Sequence, residues 1–229
     1  MPPDLSGQLA ALLTWSNAEF LVGALARTLA MTVIGCSLGF AAGFAIAVLR
    51  RTRAAWLAPA RWAALLFVET FRRVPFLVTL ILALFATQQI APELSLLGIA
   101  TVAATLAATA YLSEIVGAGL GAVPDLQREG AEALNLSAWQ TFWLVVLPQS
   151  WRVILPPAAA FMVMFVKDTS LASHLGVVEL TFSGKILINR GFSPVLGFGA
   201  VLILYFLISW PLGRLAARLE TILAPSQRS

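Results

Sequence analysis

The chain has 229 residues, 59% hydrophobic and only 11% charged, with a mean hydropathy of +0.88. A soluble domain carries about 25% charged residues, so this composition excludes one and places the chain in a membrane. Fifteen Lys+Arg against eleven Asp+Glu give +4, but the basic residues cluster beside hydrophobic runs, where they read as topology signals rather than nucleic-acid contacts.

Charge-free runs recur at 28–49, 74–92, 94–113 and 191–213, each close to the ~20 residues that cross a bilayer as a helix. They are apolar on every face, which excludes the alternating pattern of a β-barrel. Residues 1–4 carry no Lys or Arg, and the first apolar stretch is too long for a cleavable signal peptide, so it is expected to be a retained helix. It forms a first span at about 20–49 and ends against Arg50, Arg51 and Arg53, a flank of the kind that stays cytoplasmic. Cys36 lies inside this run as a small core residue, and a single cysteine excludes a disulfide framework or a Cys pair for a metal.

Residues 54–70, with Trp56 and Trp62, suit a helix that starts at the inner interface and runs to Pro75. The second span follows at about 74–91 and the third at about 97–119. In 120–150, Asp125, Arg128, Glu129 and Glu132 precede a run in which Asn135, Ser137, Gln140, Thr141 and Gln149 lower the hydropathy and Pro148 interrupts it, so a cytoplasmic helical loop is expected. A fourth span runs at about 152–174, a polar re-entrant or surface piece covers 176–190, and a fifth span lies at about 193–213. In this five-span arrangement Arg50, Arg51, Arg53, Arg61, Arg72, Arg73, Arg128, Arg152, Arg214, Arg218 and Arg228 fall inside and only Arg27, Lys185 and Arg190 outside. That bias puts the N-terminus outside and the C-terminus in the cytoplasm.

Ionisable groups within spans are costly and therefore candidates for function. Glu69 and Arg72, three residues apart on a helix, can share a face and neutralise each other. Glu114 lies in the inner half of the third span. Lys167 and Asp168, followed by Thr169, Ser170 and Ser173, fall ~22 Å beyond Arg152 if the segment is helical. Neighbours on a helix point about 100° apart, so both charges face one partner only if the helix opens there, as it does at many midplane transport sites. The other reading is that they glue the bundle or reach the outer interface. In the loop, Gly130, Ala131 and Ala133 give a short helix a face of little bulk, which suits either a docking partner or a bare surface helix.

Several of these segments are similar to one family. Glu129, Ala131, Asn135, Leu147 and Pro148 resemble the E-A-A-x-x-x-G-x(9)-I-x-L-P signature of bacterial ABC importer permeases. The segment at 69–78, ETFRRVPFLV, resembles the E-x-F-R-G-T-P-L-L-V segment of the polar amino acid branch, and Tyr111, Glu114, Gly119, Pro124 and Gln127 resemble its A-Y-x-x-E-x-x-R-G-G-x-x-x-x-P-x-G-Q segment. KDTSLAS at 167–173, with Gly176, Glu179 and Leu180, resembles its K-D-T-S-L-A-S-x-x-G-x-x-E-L segment. The resemblance implies an all-α integral membrane protein of the type I ABC importer permease fold, a single permease domain over 1–229 in the bacterial inner membrane. It implies that Glu129, Gly130, Ala131 and Asn135, with Leu147 and Pro148, form a coupling helix and its return. The implied partners are two cytoplasmic ATPase subunits that bind the ATP and Mg, a second permease subunit, and a periplasmic or lipid-anchored solute-binding protein. The implied cargo is a polar amino acid or an opine, and the chain itself has no cofactor.

Departures from the pattern are informative. Asn135 stands where the signature has Gly, and Asn tolerates the left-handed conformation that ends helices. Gly130 replaces an Ala, at a helix cost of ~1 kcal/mol. Arg73 replaces a Gly, adding positive charge beside the path and favouring a carboxylate-rich cargo. The chain lacks a nucleotide-binding fingerprint, since Gly184 and Lys185 are followed by Ile186. The sole histidine, His174, and the absence of a G-x-S-x-G elbow argue against an intramembrane hydrolase. A secondary transporter or channel is the competing function, although such folds often show internal repeats and none is evident here. For direct contacts, Lys167 or Arg72 suits an α-carboxylate, Asp168 or Glu69 an α-ammonium, and Thr169 and Ser170 hydrogen bonds.

Overall fold

The computed structural model describes residues 5–52 and 54–223, and every helix end discussed below lies within them. The expectations for residues 1–4, Arg53 and Arg228 lie outside the described residues. Helix α1 (Leu5–Leu12) leads into α2 (Trp15–Arg51), which is followed by α3 (Ala58–Arg73), α4 (Phe76–Ile90), α5 (Leu96–Gly121), α6 (Asp125–Ala133), α7 (Ala138–Thr141), α8 (Leu147–Asp168), α9 (Leu180–Asn189) and α10 (Pro194–Leu223).

Among the described residues four stretches are long and apolar enough to cross a membrane: Trp15–Arg51, Leu96–Gly121, Ala138–Leu175 and Pro194–Leu223. The expected second span is the exception, because α4 has 15 residues and reaches only about 22 Å at helical rise. Val74 and Pro75 separate it from α3, since Pro disfavours helical geometry in the residue before it, and Val74 is extended with ψ 132°. Thus 58–90 is two helices joined at Val74 and Pro75, neither of which is alone long and apolar enough to cross a membrane. The expected loop at 120–150 also needs correction. Residues 138–141 are helical and pass through a π-helical turn at Phe142–Val146 into α8, so Pro148 does not interrupt the helix. It sits in the first turn of α8, where its missing N–H is tolerated.

Packing orders these helices around α5. Its Ala100, Ala103, Ala104, Ala107, Ala108 and Ala110 are all buried, a run of small side chains that lets neighbouring backbones come close. From α2, Gly35, Gly39 and Gly43 meet it in register: Cβ atoms built on them would lie 3.0 Å from Ala104 Cβ, 2.6 Å from Ala108 Cβ and 2.8 Å from the Ser113 backbone nitrogen. The two helices therefore run parallel in near backbone contact. Layers of core stack along this pair, from Leu12, Leu21 and Leu187 at one end, through Met31, Leu80 and Ile99 and Cys36, Leu112 and Phe165, to Ala47, Val116, Leu120 and Ile154 at the end that carries Arg50 and Arg51. By contrast α10 buries only Gly197 and Val201 and exposes Leu202, Phe206 and Trp210, as expected of a lipid-facing helix.

The glycine contacts generate a test. Gly39→Leu is expected to abolish the folded bundle and Gly39→Ala to cost about 1–3 kcal/mol by overpacking, read as a lower melting temperature in detergent. The control is Gly199→Ala, where no atom lies within 4 Å of the added Cβ; it should not lower the melting temperature.

Candidate functional site

The intramembrane charges come together from three helices. Glu114 on α5 is ion-paired with Arg50 of α2 and lies 3.5 Å from Arg72 of α3. Glu69 does not pair with Arg72 as its three-residue spacing suggests. Instead Arg73, four residues on, donates from Nε at 2.8 Å and Nη2 at 2.6 Å to Glu69 Oε2, and among the described residues Oε1 makes no hydrogen bond. One more residue along the helix brings the guanidinium over the carboxylate, whereas Arg72 turns toward α5. There its guanidinium carbon lies 6.0 Å from the Tyr111 ring centroid, and the Tyr111 hydroxyl donates to the Arg72 carbonyl at 3.2 Å.

Two adjoining cavities share Tyr111. One, of about 220 Å³, is lined by Glu69, Arg72, Arg73 and Tyr111. The other, of about 100 Å³, is lined by Phe71, Phe76, Tyr111, Phe161, Phe165 and Asp168, among others. Its wall is a chain of ring contacts: Tyr111 to Phe161 at 5.5 Å, Phe161 to Phe165 at 5.1 Å and Phe165 to Phe76 at 5.4 Å. Asp168 is half-buried and makes no hydrogen bond or ion pair among the described residues.

The rest of the KDTSLAS segment is arranged differently from expectation. The α-helix ends at Asp168 and tightens into a 3-10 helix at Thr169–Leu175, closed by Gly176 at φ 85°; it does not open. Lys167 is exposed and outside both linings. The Thr169 hydroxyl is buried and donates to the Val166 carbonyl at 2.8 Å, which removes it from the cavity, and Ser170 is half-buried outside the linings. Downstream, Glu179 was quoted in the motif without a role and proves fully buried. It caps α9 by accepting from the Thr181 and Phe182 amides at 2.9 and 2.7 Å, and from Tyr205 of α10 at 3.1 Å. No sequence signal marks this cap, since Glu is not among the residues that favour the N-cap position.

At the far end, α6 stands exposed, with Glu129 and Gly130 uncovered. Ala131 is buried and packs the inner face of α6 against the rest of the chain. Asn135 adopts φ 58°, and around it the Leu136 amide donates to the Ala131 carbonyl at 3.1 Å and the Asn135 amide to the Glu132 carbonyl at 2.8 Å. This pair of bonds closes the helix with a left-handed cap, as the Asn-for-Gly exchange leads one to expect. Leu147 is buried and Pro148 exposed where α8 begins. Ser137 and Gln140 form a reciprocal capping box that starts the return.

A bundle of apolar helices long enough to cross a membrane, with a charged cavity among them, defines a multi-pass membrane transport protein. Residues 39–229 match the family described as binding-protein-dependent transport system inner membrane component, and the chain belongs to that family. It is 33% identical over 204 residues to the probable amino-acid ABC transporter permease protein YckA of Bacillus subtilis (89% of this chain, 87% of the relative). It is 32% identical over 212 residues to the glutamine transport system permease protein GlnP of Escherichia coli K12 (90% and 94%). It is also 30% identical over 226 residues to the octopine transport system permease protein OccM of Rhizobium radiobacter (94% and 90%). Among solved structures, an amino acid ABC transporter crystallised with histidines superposes with TM-score 0.84 at 22% identity, covering 96% of this chain and 99% of that one. The inward-facing MetNI methionine ABC transporter gives 0.80 at 22% identity, covering 93% and 100%. The fold is that of the type I ABC importer permeases.

Asn135 carries a prediction of its own. Asn135→Ala should destabilise the α6 turn by about 1 kcal/mol, because Cβ clashes in the left-handed region without the Asn side chain to compensate, whereas Asn135→Gly should not. Limited proteolysis across 133–138 reads the difference, and equal cutting of the two variants would contradict it.

Proposed function

We propose that the chain is the non-catalytic permease subunit of an ABC importer that carries polar amino acids or opines inward by alternating access. ATP and Mg are bound by two cytoplasmic ATPase subunits, a second permease copy or paralogue completes the pathway, and a solute-binding protein delivers cargo. The end bearing Arg50, Arg51 and α6 is then cytoplasmic, with the N-terminus outside. The observation that carries this reading is mechanical. The exposed α6, closed by Asn135, leads into a helical stretch of 38 residues at Ala138–Leu175 that contains Asp168 at the aromatic cavity. Movement of a docked ATPase against Glu129 and Gly130 reaches the cavity through one helical rod. A docking helix has no use in a self-sufficient carrier or channel.

Within the pathway, the cavity with Arg72 and Glu69 takes the amino-acid head group. A guanidinium suits the α-carboxylate, and the unused Glu69 Oε1 suits the α-ammonium. Glu114 serves by holding Arg72 in place, while Lys167, Thr169 and Ser170 lie away from this contact.

Gentle extraction from the native membrane should yield an ATPase in stoichiometric amount, and uptake of labelled arginine or glutamine by the reconstituted complex, supplied with its binding protein, should require ATP. Glu129→Arg should lower ATP-driven uptake by about tenfold or more, the loss of roughly one charge-assisted contact, without lowering the permease's melting temperature. A chain that purifies alone and transports without ATP would overturn the reading.

A further inference from the structure

Helix α1 lies far from the charged cavity, yet it is fastened to three other elements. Its Gln8 Oε1 accepts from the Ser193 amide at 2.8 Å, just before α10, and its Leu12 packs with Leu21 of α2 and Leu187 of α9. An extended Thr14, at ψ 151°, turns the chain from α1 into α2. Asn17 braces that turn, since its Nδ2 donates to the Ala11 carbonyl at 2.9 Å while its Oδ1 accepts from Arg190 at 3.2 Å. The Arg190 guanidinium carbon in turn lies 4.5 Å from the Phe20 ring centroid. These bonds hold α1 in one place on the bundle.

That place is a depth, and α10 measures it. Residues 194–213 are free of charge between Arg190 and Arg214, and they rise about 30 Å at helical pitch, the thickness of the hydrocarbon. Ser193 therefore marks one boundary of the hydrocarbon, at the end of the bundle opposite Arg50. Trp210, with the Arg214 guanidinium carbon 5.1 Å from its ring centroid, marks the other. Because Gln8 is bonded to Ser193, α1 lies at the first boundary.

Its exposed side chains suit that position. At about 100° per residue, Gln8 and Leu12 take the face toward the bundle, Leu5 and Leu9 the flank beside it, and Ser6, Gly7, Ala10 and Ala11 the far side. Leu5, Leu9, Leu13 and Trp15 are all exposed, the last two at 74% and 83%. The lipid-facing surface of α10 begins beside them, since Val195, two residues beyond Ser193, is 78% exposed. No Asp, Glu, Lys or Arg occurs in 5–18, so the flank offers a partner protein no charge to pair with.

We infer that α1 is an interfacial helix, and that the phospholipid leaflet at this end of the bundle covers Leu5, Leu9 and Leu13. Acyl chains take the three leucines, and Trp15 sits among the head groups. Through Gln8, Leu12 and Asn17 this seat sets the depth of the α9–α10 turn and of the start of α2.

The test is photo-crosslinking in the native membrane, with the whole complex present and a diazirine amino acid placed at Leu9, Leu13 or Ala10. On irradiation the diazirine loses N2 and the resulting carbene inserts into a bond of its neighbour, so the intact mass of the purified permease identifies what lay there. Phospholipid adducts are expected to predominate at Leu9 and Leu13, and water adducts at Ala10. Water adducts at all three positions would put α1 outside the lipid and overturn the inference. Cross-links from Leu9 and Leu13 to another protein would overturn it as well, by assigning the flank to that protein. Lipid adducts as abundant at Ala10 as at Leu9 would sink the whole helix in hydrocarbon and overturn the interfacial seat. Leu9 and Leu13 are both exposed, and Leu13 lies beyond the end of α1, so the labelled chains are expected to fold.

Discussion

The structure depends on the near contact of two helix backbones, α2 and α5. In a bilayer there is no hydrophobic force between apolar helices, so association rests on close van der Waals fit and on polar contacts across the seam. Gly35, Gly39 and Gly43 supply the fit by offering bare backbone to Ala104, Ala108 and Ser113. Larger side chains would hold the helices apart and leave their register loose. With the register set, Arg50 arrives beside Glu114 and Arg51 donates to the Gly117 carbonyl at 2.9 Å. The polar contacts are thus a consequence of the glycine spacing.

Charge satisfaction then sorts structural from functional groups. Glu114 is held by two arginines from two other helices, and Glu179 is saturated by two amides and a tyrosine hydroxyl. Arg27 similarly spends its guanidinium on the Val178 carbonyl at 2.9 Å, and Thr28 accepts from the Leu180 amide at 3.0 Å. These bonds pin the chain around α9 to α2 and leave little capacity for a ligand. Asp168 and Glu69 Oε1 are different, since each retains acceptor capacity beside a cavity. Glu69 is partly exposed, so its free oxygen is open to solvent, whereas Asp168 is half-buried against the rings.

Much of this was legible in the sequence, and the failures share a cause. Apolar runs and basic flanks report burial in lipid and topology, so the long helices emerged with their order right. The left-handed Asn135 was legible because its constraint is local. The Glu69 partner was not, because a three-residue and a four-residue spacing are nearly equivalent on an isolated helix; the choice is made by Glu114, forty-two positions beyond Arg72 in the chain. The continuity of 138–175 was hidden for a related reason. Polar residues and Pro148 lowered its apparent fitness as a helix, yet Ser137 and Gln140 cap it and Thr141 and Ser150 are buried within the fold. The glycine seam lay in plain view as two overlapping G-x-x-x-G repeats in an apolar run, a signal that hydropathy alone does not weigh.

Continuity alone does not make a rod that transmits motion, and the irregularities in 138–175 mark where it can yield. A π-helical turn occupies Phe142–Val146, and Pro156 and Pro157 lie inside α8, where they cannot donate to the carbonyls of Arg152 and Val153. Between these two weak points the helix is clamped, since Ile154 is fully buried and would lie 2.3 Å from a Cβ placed on Gly119 of α5. Trp151 adds stacked contacts to Phe40 at 5.9 Å and Phe44 at 6.2 Å on α2. The segment from 147 to 154 is therefore packed as one block with the α2 and α5 pair, whereas the end toward α6 and the cavity end each have an irregular turn next to that block. An effort applied at α6 bends the rod at the π turn first, and reaches Asp168 only by carrying the glycine-sealed pair with it. The seam that places the charges is thus also the body that lies between α6 and the cavity.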